Sequence, residues 1–123
     1  MVEILSFKPR SGTDVLESLK EFAEENEIDY GFFENASGKL ANFEVSAFSG
    51  SGSIENKYFK EPHDVLNVSG KIQRKGSEYE IALKVRVGRS GLSAFSGVLI
   101  QGKASEGLEI NIRKVKMGNI IEA

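Results

Sequence analysis

One helical segment precedes a chain that otherwise has the pattern of β-strands. Between Asp14 and Asn26 the apolar residues recur at intervals of three and four, the period of an α-helix with one apolar face. Asp14 is suited to cap this helix, and Glu17 places a negative charge in its first turn, where free backbone N–H groups favour it. Because one such segment is too few for repeated strand–helix–strand units, a doubly wound α/β fold is excluded.

After the helix, β-branched and aromatic residues alternate with polar ones, and Gly, Pro and Ser separate the runs. The clearest alternation spans residues 80–87, and Lys75-Gly76-Ser77 before it predicts a hairpin turn. The predicted strands cover residues 4–7, 30–34, 40–48, 57–60, 64–74, 78–87, 95–101 and 108–116. The sequence therefore predicts an α+β fold, a mainly antiparallel β-sheet packed with one main α-helix, in a single domain over residues 1–123.

The composition limits the chemistry. The chain has 123 residues, which is enough for one domain, with no cysteine and one histidine, His63. A single copy therefore cannot build a Cys-based metal site, a disulfide or a thiol nucleophile. Asp64 follows His63 but points to the opposite face of its strand, so it is badly placed to orient the imidazole. We predict no catalytic residue and no cofactor, and favour a non-enzymatic role.

The N-terminal residues contain no basic segment followed by an apolar one, and no window reaches the roughly 18 apolar residues of a membrane span. We therefore expect a cytoplasmic protein without a membrane partner.

Charge is unevenly distributed along the chain. The net charge is −2, and the acidic residues are concentrated before residue 62 while the basic ones follow it. Lys71, Arg74, Lys75 and Arg89 lie in or beside one predicted hairpin and are candidates for contact with nucleic acid or an acidic partner. The alternative is a solvated hairpin whose charges discourage pairing between sheet edges.

Aromatic residues are dispersed at strand spacing, so we expect most of them in the core or in subunit contacts rather than in a base-stacking platform. They are Tyr30, Phe32, Phe33, Phe43, Phe48, Tyr58, Phe59, Tyr79 and Phe95.

Six short segments form an ordered set of motifs along the chain. They are GTDVLESL at residues 12–19, GFF at 31–33, SGKL at 37–40, DVLNVSGKI at 64–72, SGVLIQG at 96–102 and LEI at 108–110. In this order they resemble the plants-and-prokaryotes-conserved (PPC) domain family, and residues 64–72 are similar to its central strand signature. The resemblance implies an antiparallel sheet packed with a helix and a homotrimeric assembly, in a family often labelled DNA-binding without an established biochemical activity.

The chain departs from the family at its metal-binding positions. Typical prokaryotic members carry a His-x-His pair where this chain has residues 82–84, and a third His where it has Val98. Ala82 and Val98 offer no ligand atom, and the ammonium group of Lys84 would repel a cation. We therefore predict no metal site.

The same positions suggest a different ligand. If the family's polar cleft is kept, Ala82, Lys84, Arg86 and Val98 would line it, and the two cations would hold an anion such as a carboxylate or phosphate. Subunit contact around Val98 is the simpler alternative.

In plant members of the family, an Arg-Gly-Arg-Pro segment enters the DNA minor groove, and this chain has none. A second plant segment, associated with partner proteins, corresponds here to residues 61–66. By this resemblance His63, Asp64, Val65 and Leu66 are candidates for contact with a partner or another subunit.

Three functions stay open. The first is a non-enzymatic trimeric scaffold that binds a partner, with DNA as one candidate. The second is a small-anion or metabolite-binding module, or a weak enzyme, that uses the cleft near Lys84, Arg86 and Val98. The third is a purely structural oligomer.

Overall fold

The computed structural model describes residues 2–48 and 52–115. The elements are β1 Val2–Phe7, α1 Val15–Glu25, β2 Tyr30–Ser37, β3 Lys39–Phe48, β4 Ile54–Phe59, β5 His63–Lys75, β6 Glu78–Gly88, β7 Phe95–Ala104 and β8 Glu109–Val115. The α+β fold with one main helix is confirmed, and each predicted strand is found with shifted ends. The largest shift at a strand start is in β4, which begins at Ile54. Residue 116, the predicted end of the last strand, lies outside the described residues.

Helix α1 begins where the sequence predicts. The Asp14 carboxylate accepts a 2.9 Å hydrogen bond from the backbone N–H of Glu17, and Val15, Leu19 and Ala23 are fully buried. Within the described residues, no helix is long and apolar enough to cross a membrane.

The strands join into one antiparallel sheet in the order β1-β8-β2-β5-β6-β7-β3-β4. The long strand β5 pairs with β6 along its length, while its start also pairs with β3 and its end with β2. The pairing of His63 with Leu40 brings β3 back onto β5, so that β5, β6, β7 and β3 form a closed ring of strands.

The two faces of the β5–β6 hairpin differ in polarity. The inner face belongs to the core that α1 covers, and its buried side chains are Val68, Ile72, Leu83, Val85 and Val87. The outer face points away from α1, and its exposed side chains are Asn67, Ser69, Lys71, Ala82, Lys84 and Arg86. This division follows from the strand pleat, which sends successive side chains to opposite faces.

Gly70 lets β5 and β6 lie close together in the middle of this hairpin. Its φ angle is +109°, and a Cβ at this position would overlap the carbonyl oxygen of Ala82 on β6. A side chain here would therefore strain the backbone and push the two strands apart.

We expect Gly70→Ala to lower the free energy of unfolding by more than about 1 kcal/mol, because it adds both backbone strain and a clash. Gly76→Ala is the matched control, since Gly76 also has a positive φ, +67°, but a Cβ there would meet no atom within 4 Å. Urea unfolding at one protein concentration measures both changes. Equal losses in the two variants would show that contact with Ala82 is not what requires glycine.

Candidate functional site

Lys84 and Arg86 lie in adjacent cross-strand rows of the outer face. Each row runs from β5 through β6 to β7, and both consist mostly of polar residues. The rows are Ser69–Lys84–Val98 and Asn67–Arg86–Ser96.

Two adjoining cavities open over these rows. The first has a volume of about 380 Å³ and lies over both rows, while the second has about 450 Å³ and extends to Ser46 and Ile54. Lys84, Ser96 and Gly97 line both cavities. A Cβ on Gly97 would come within 2.7 Å of the Ser46 carbonyl oxygen, so glycine lets β7 and β3 approach beneath the cavities.

The predicted cleft residues are therefore only partly brought together. Lys84 and Arg86 line the first cavity, and Val98 lines the second together with Lys84. Ala82 lies on the same face, two residues before Lys84, but it lines neither cavity.

Lys84 and Arg86 have no carboxylate partner in the part of the chain that the structure describes. The ion pairs found there use other cations: Lys20 with Glu17, Arg74 with Asp29, Lys75 with Glu80, and Arg113 with Glu34. A cavity that carries two uncompensated positive charges attracts an anion. The Arg86 guanidinium is suited to two parallel hydrogen bonds with a carboxylate or phosphate, and the Lys84 ammonium acts as a point charge.

The residues that the motif resemblance aligns with histidines do not fit a metal ion. The methyl group of Ala82 and the isopropyl group of Val98 have no donor atom, and Lys84, paired with Val98, carries a positive charge. Among residues 2–48 and 52–115, no cluster of three or more His, Cys, Asp or Glu side chains could hold a metal ion.

The four predicted nucleic-acid residues do not form one surface. Lys71 and Lys75 lie on the outer face. Arg74 lies on the opposite face of β5, where it pairs with Tyr79 and contacts its ring. Arg74 is 3.7 Å from Asp29, and the Lys75 ammonium is 3.0 Å from Glu80. Arg89 follows the far end of β6.

The predicted contact segment 63–66 is divided between the two faces of its strand. His63 is 6% exposed, and its ring packs against Phe43 and Phe59 with centroids 5.3 and 4.8 Å away. Its Nδ1 lies 2.8 Å from the carbonyl oxygen of Glu61, which can only accept a hydrogen bond. Val65 is buried as well, so within this segment only Asp64 and Leu66 are exposed to a partner.

Sequence reasoning missed several residues of this face. The first cavity is also lined by Asn67, Ser69 and Ser96, which the sequence analysis did not name. Strand alternation could have identified them, because it places them on the outer face with Lys84 and Arg86. Tyr30 and Phe32 are half-buried on the same side of the sheet, whereas Phe33 and Phe43, like most of the predicted core aromatics, point inward.

These features define a small α+β domain with one covered and one open sheet face. The family model of the Plants and Prokaryotes Conserved domain, abbreviated PCC or PPC, matches residues 4–116. The chain therefore belongs to this family, as its motifs suggest. No curated protein matches the sequence significantly.

Solved structures agree on the fold. A plant- and prokaryote-conserved protein from Pyrococcus horikoshii is 21% identical with a TM-score of 0.79, covering 93% of this chain and 79% of that one. A metal-containing protein from Archaeoglobus fulgidus is 20% identical with a TM-score of 0.77, covering 91% and 79%. A putative DNA-binding protein from Bacteroides thetaiotaomicron is 24% identical with a TM-score of 0.72, covering 92% and 77%. At these identities the similarity establishes the fold alone.

Tyr79 supports Arg74 at the tip of the β5–β6 hairpin. The Arg74 guanidinium carbon lies 5.5 Å from the centroid of the Tyr79 ring. The Tyr79 hydroxyl oxygen is buried and has no hydrogen-bond partner in the described part of the chain. Desolvation by burial raises the pKa of Tyr79, the charge of Arg74 opposes this rise, and the carboxylates of Asp29 and Glu24 add to it.

We expect the raised pKa of Tyr79 to make stability fall in alkali. The phenol is neutral in both states below the unfolded pKa of about 10, so the loss begins there and grows as the pH rises through the raised folded pKa. Tyr79→Phe removes this loss and leaves no buried hydroxyl unpaired, so its stability at neutral pH should match or exceed wild type. Urea unfolding at neutral and alkaline pH measures both effects. An identical pH dependence in the two proteins would contradict this role.

Proposed function

We propose that this protein is a non-enzymatic binding scaffold that assembles as a homotrimer and holds a small anion around Lys84 and Arg86. The observation that carries the proposal is a pair of cations that have no carboxylate partner within residues 2–48 and 52–115. They line a cavity that also contains hydroxyl and amide groups. A cytoplasmic location, expected from the sequence, is part of the same proposal.

The spacing of the two cations suits one small anion. They lie two residues apart on one face of β6, which separates their Cα atoms by about 7 Å. Their long side chains can converge on a single carboxylate or phosphate. A contact at 4 Å is worth about 1 kcal/mol in bulk water and about 4 kcal/mol near a protein surface. Two such contacts with added hydrogen bonds correspond to a dissociation constant of about micromolar to millimolar.

The lining residues favour binding over catalysis. Neither cavity is lined by a His, Asp, Glu, Cys or Tyr side chain. General acid–base chemistry needs a group near the substrate that exchanges protons at the working pH. His63, the one histidine, is buried on the inner face among aromatic rings.

Exposed apolar side chains support assembly at the end of the sheet beside the cavities. Ile54 is 67% exposed, Leu66 is 54% exposed, and Leu92, in the loop between β6 and β7, is 62% exposed. Leu66 lies near the start of β5 and Leu92 follows the end of β6, which pairs with that start, whereas Ile54 begins β4. Large exposed apolar groups are enriched in subunit contacts. Copies that meet there would border the second cavity, because Ile54 lines it.

Inorganic phosphate or a small carboxylate should raise the Tm of the wild type beyond the effect of sodium chloride at equal ionic strength, because the anion binds the folded state. In Lys84→Ala we expect most of this excess to disappear, since half of the charge in the cavity is lost. A thermal-shift titration measures both effects.

Lys75→Ala is the matched control for that titration. Lys75 is another exposed lysine on the outer face, but its ammonium is 3.0 Å from Glu80. Its removal should leave the phosphate shift unchanged. A shift that survives Lys84→Ala, or that both variants lose equally, would contradict the assignment of the site.

Light scattering after size-exclusion chromatography should give about three times the 13.5 kDa mass of one chain. We expect Leu66→Glu to reduce the trimer fraction, because it places a charge in the proposed contact. Ile4→Glu is the control, since Ile4 is similarly exposed, at 56%, but lies on the edge strand β1. A monomeric wild type would refute the assembly.

Nucleic acid is the second candidate ligand, and it agrees with the name of the Bacteroides thetaiotaomicron relative. Arg74 and Lys75 support it poorly, because both are already ion-paired. Lys71 supports it better, since it is exposed on the outer face and has no carboxylate partner in the described part of the chain.

A further inference from the structure

Two aromatic rings lie next to each other on the outer face of β2. Tyr30 and Phe32 alternate with the buried residues Gly31 and Phe33, so both rings point away from the core. Their centroids are 5.2 Å apart and their planes meet at 64°. In such an edge-to-face pair, a third planar ring can stack on the face of one aromatic residue and contact the edge of the other.

A cation lies over one face of each of these rings. The sheet order places Phe32 between Arg113 on β8 and Lys71 on β5. The Arg113 guanidinium carbon is 5.1 Å from the Phe32 centroid, and the Lys71 ammonium is 5.8 Å from the Tyr30 centroid. Arg113 is paired with Glu34 at 2.9 Å, whereas Lys71 has no carboxylate partner among the described residues. Lys71 therefore supplies the unpaired charge beside the aromatic pair.

Lys71 lies on the same face as Lys84 and Arg86, and none of the three has a carboxylate partner among the described residues. Lys71 pairs with Ala82, which lies two residues from Lys84, and Arg86 follows two residues further along the same face. Successive same-face positions of a strand are about 7 Å apart, a distance that one nucleotide of an extended single strand can span. The aromatic pair lies beside Lys71, at one end of these three cations.

The charge of the whole protein does not oppose a polyanion at this surface. Most of the acidic residues of α1 lie on the opposite side of the sheet, and at physiological salt a charge is screened within about 8 Å. On the outer face of the hairpin, Asp64 and Glu78 lie toward the strand ends, and Glu80 is paired with Lys75. The middle of the hairpin is therefore positive.

We propose that this surface binds single-stranded nucleic acid, with a base stacked against Tyr30 and Phe32 and phosphates on Lys71, Lys84 and Arg86. The inference rests on the proposed function, because it uses the same anion site. A single strand fits and a duplex does not, since an open sheet offers its rings only to bases that are free to unstack. The Lys84 end of this surface borders the apolar contact proposed for the trimer, because Lys84 and Ile54 line the same cavity, whereas Tyr30 and Phe32 line neither cavity.

The test is fluorescence anisotropy with the full chain and labelled oligonucleotides of about twelve nucleotides, a length within the usual range for single-strand sites. The probes are single-stranded DNA, single-stranded RNA and duplex DNA of one sequence. We expect at least one single strand to bind at least tenfold more tightly than the duplex. Its affinity should fall with salt with a logarithmic slope of about −2, as three phosphate contacts require.

Phe32→Leu separates this proposal from the proposed function. The substitution keeps an apolar side chain but removes the π face, so single-strand affinity should fall at least tenfold while the phosphate thermal shift stays unchanged. Tyr58→Leu removes an aromatic ring that is 59% exposed on the edge strand β4, and it should leave both readouts unchanged. Lys84→Ala should weaken both.

Three results would overturn the inference. If phosphate shifts the Tm but no single strand binds, the stacking site is wrong and the anion site stands. If duplex binds as well as single strands and Phe32→Leu has no effect, the surface acts by charge alone. If neither phosphate nor oligonucleotide binds, both proposals fail.

Discussion

The β5–β6 hairpin must bury one face, and this requirement places its cations. Leu83 and Val85 pack into the core under α1, so the pleat sends Lys84 and Arg86 to the opposite face. A shift of one residue in the register would bury Lys84 and expose Leu83. Burial of an unpaired ammonium costs far more than a strand contact contributes, so the hydrophobic core itself specifies where the charges lie.

The outer face of this chain lacks the histidines that the motif resemblance implies at residues 82, 84 and 98. The sheet still pairs the position of Lys84 with that of Val98 across β6 and β7. Relatives that carry imidazoles at these positions have ligands for a cation, whereas a lysine there favours the opposite charge. Under the proposed function, the site would therefore attract an anion rather than a cation.

The pairing of β3 with β7 explains why the second cavity reaches Ser46 and Ile54. It places Ser46 opposite Val98, and β4 pairs with the end of β3 through Ile54. The polar rows on β5 and β6 therefore lie beside the exposed apolar side chain of Ile54. A polar floor bordered by exposed apolar side chains suits a ligand site next to a subunit contact, which is the arrangement that we propose.

The local patterns predicted the elements well because they depend on neighbouring residues. Asp14 caps α1 by accepting a hydrogen bond from the backbone N–H of Glu17, three residues away. The alternation at residues 80–87 matches the alternating burial of side chains in β6. The departure of residues 82, 84 and 98 from metal-ligand chemistry was also readable from residue types alone. Of the residues predicted to line a cleft, Lys84, Arg86 and Val98 line the two cavities and Ala82 lines neither, and the serine and asparagine donors were missed.

The sequence by itself determined the helix, the strands, the family and the polarity of each strand face, because side-chain period and backbone preference act over a few residues. Only the tertiary structure decided which charges are free. Arg74 is paired with Asp29, which is distant along the chain. Arg89 follows the end of β6 that lies away from the other three predicted residues. Tyr30 contacts Lys71 and Phe32 contacts Arg113 because the sheet places β2 between β5 and β8. The order of strands in a sheet is set by packing across the whole core.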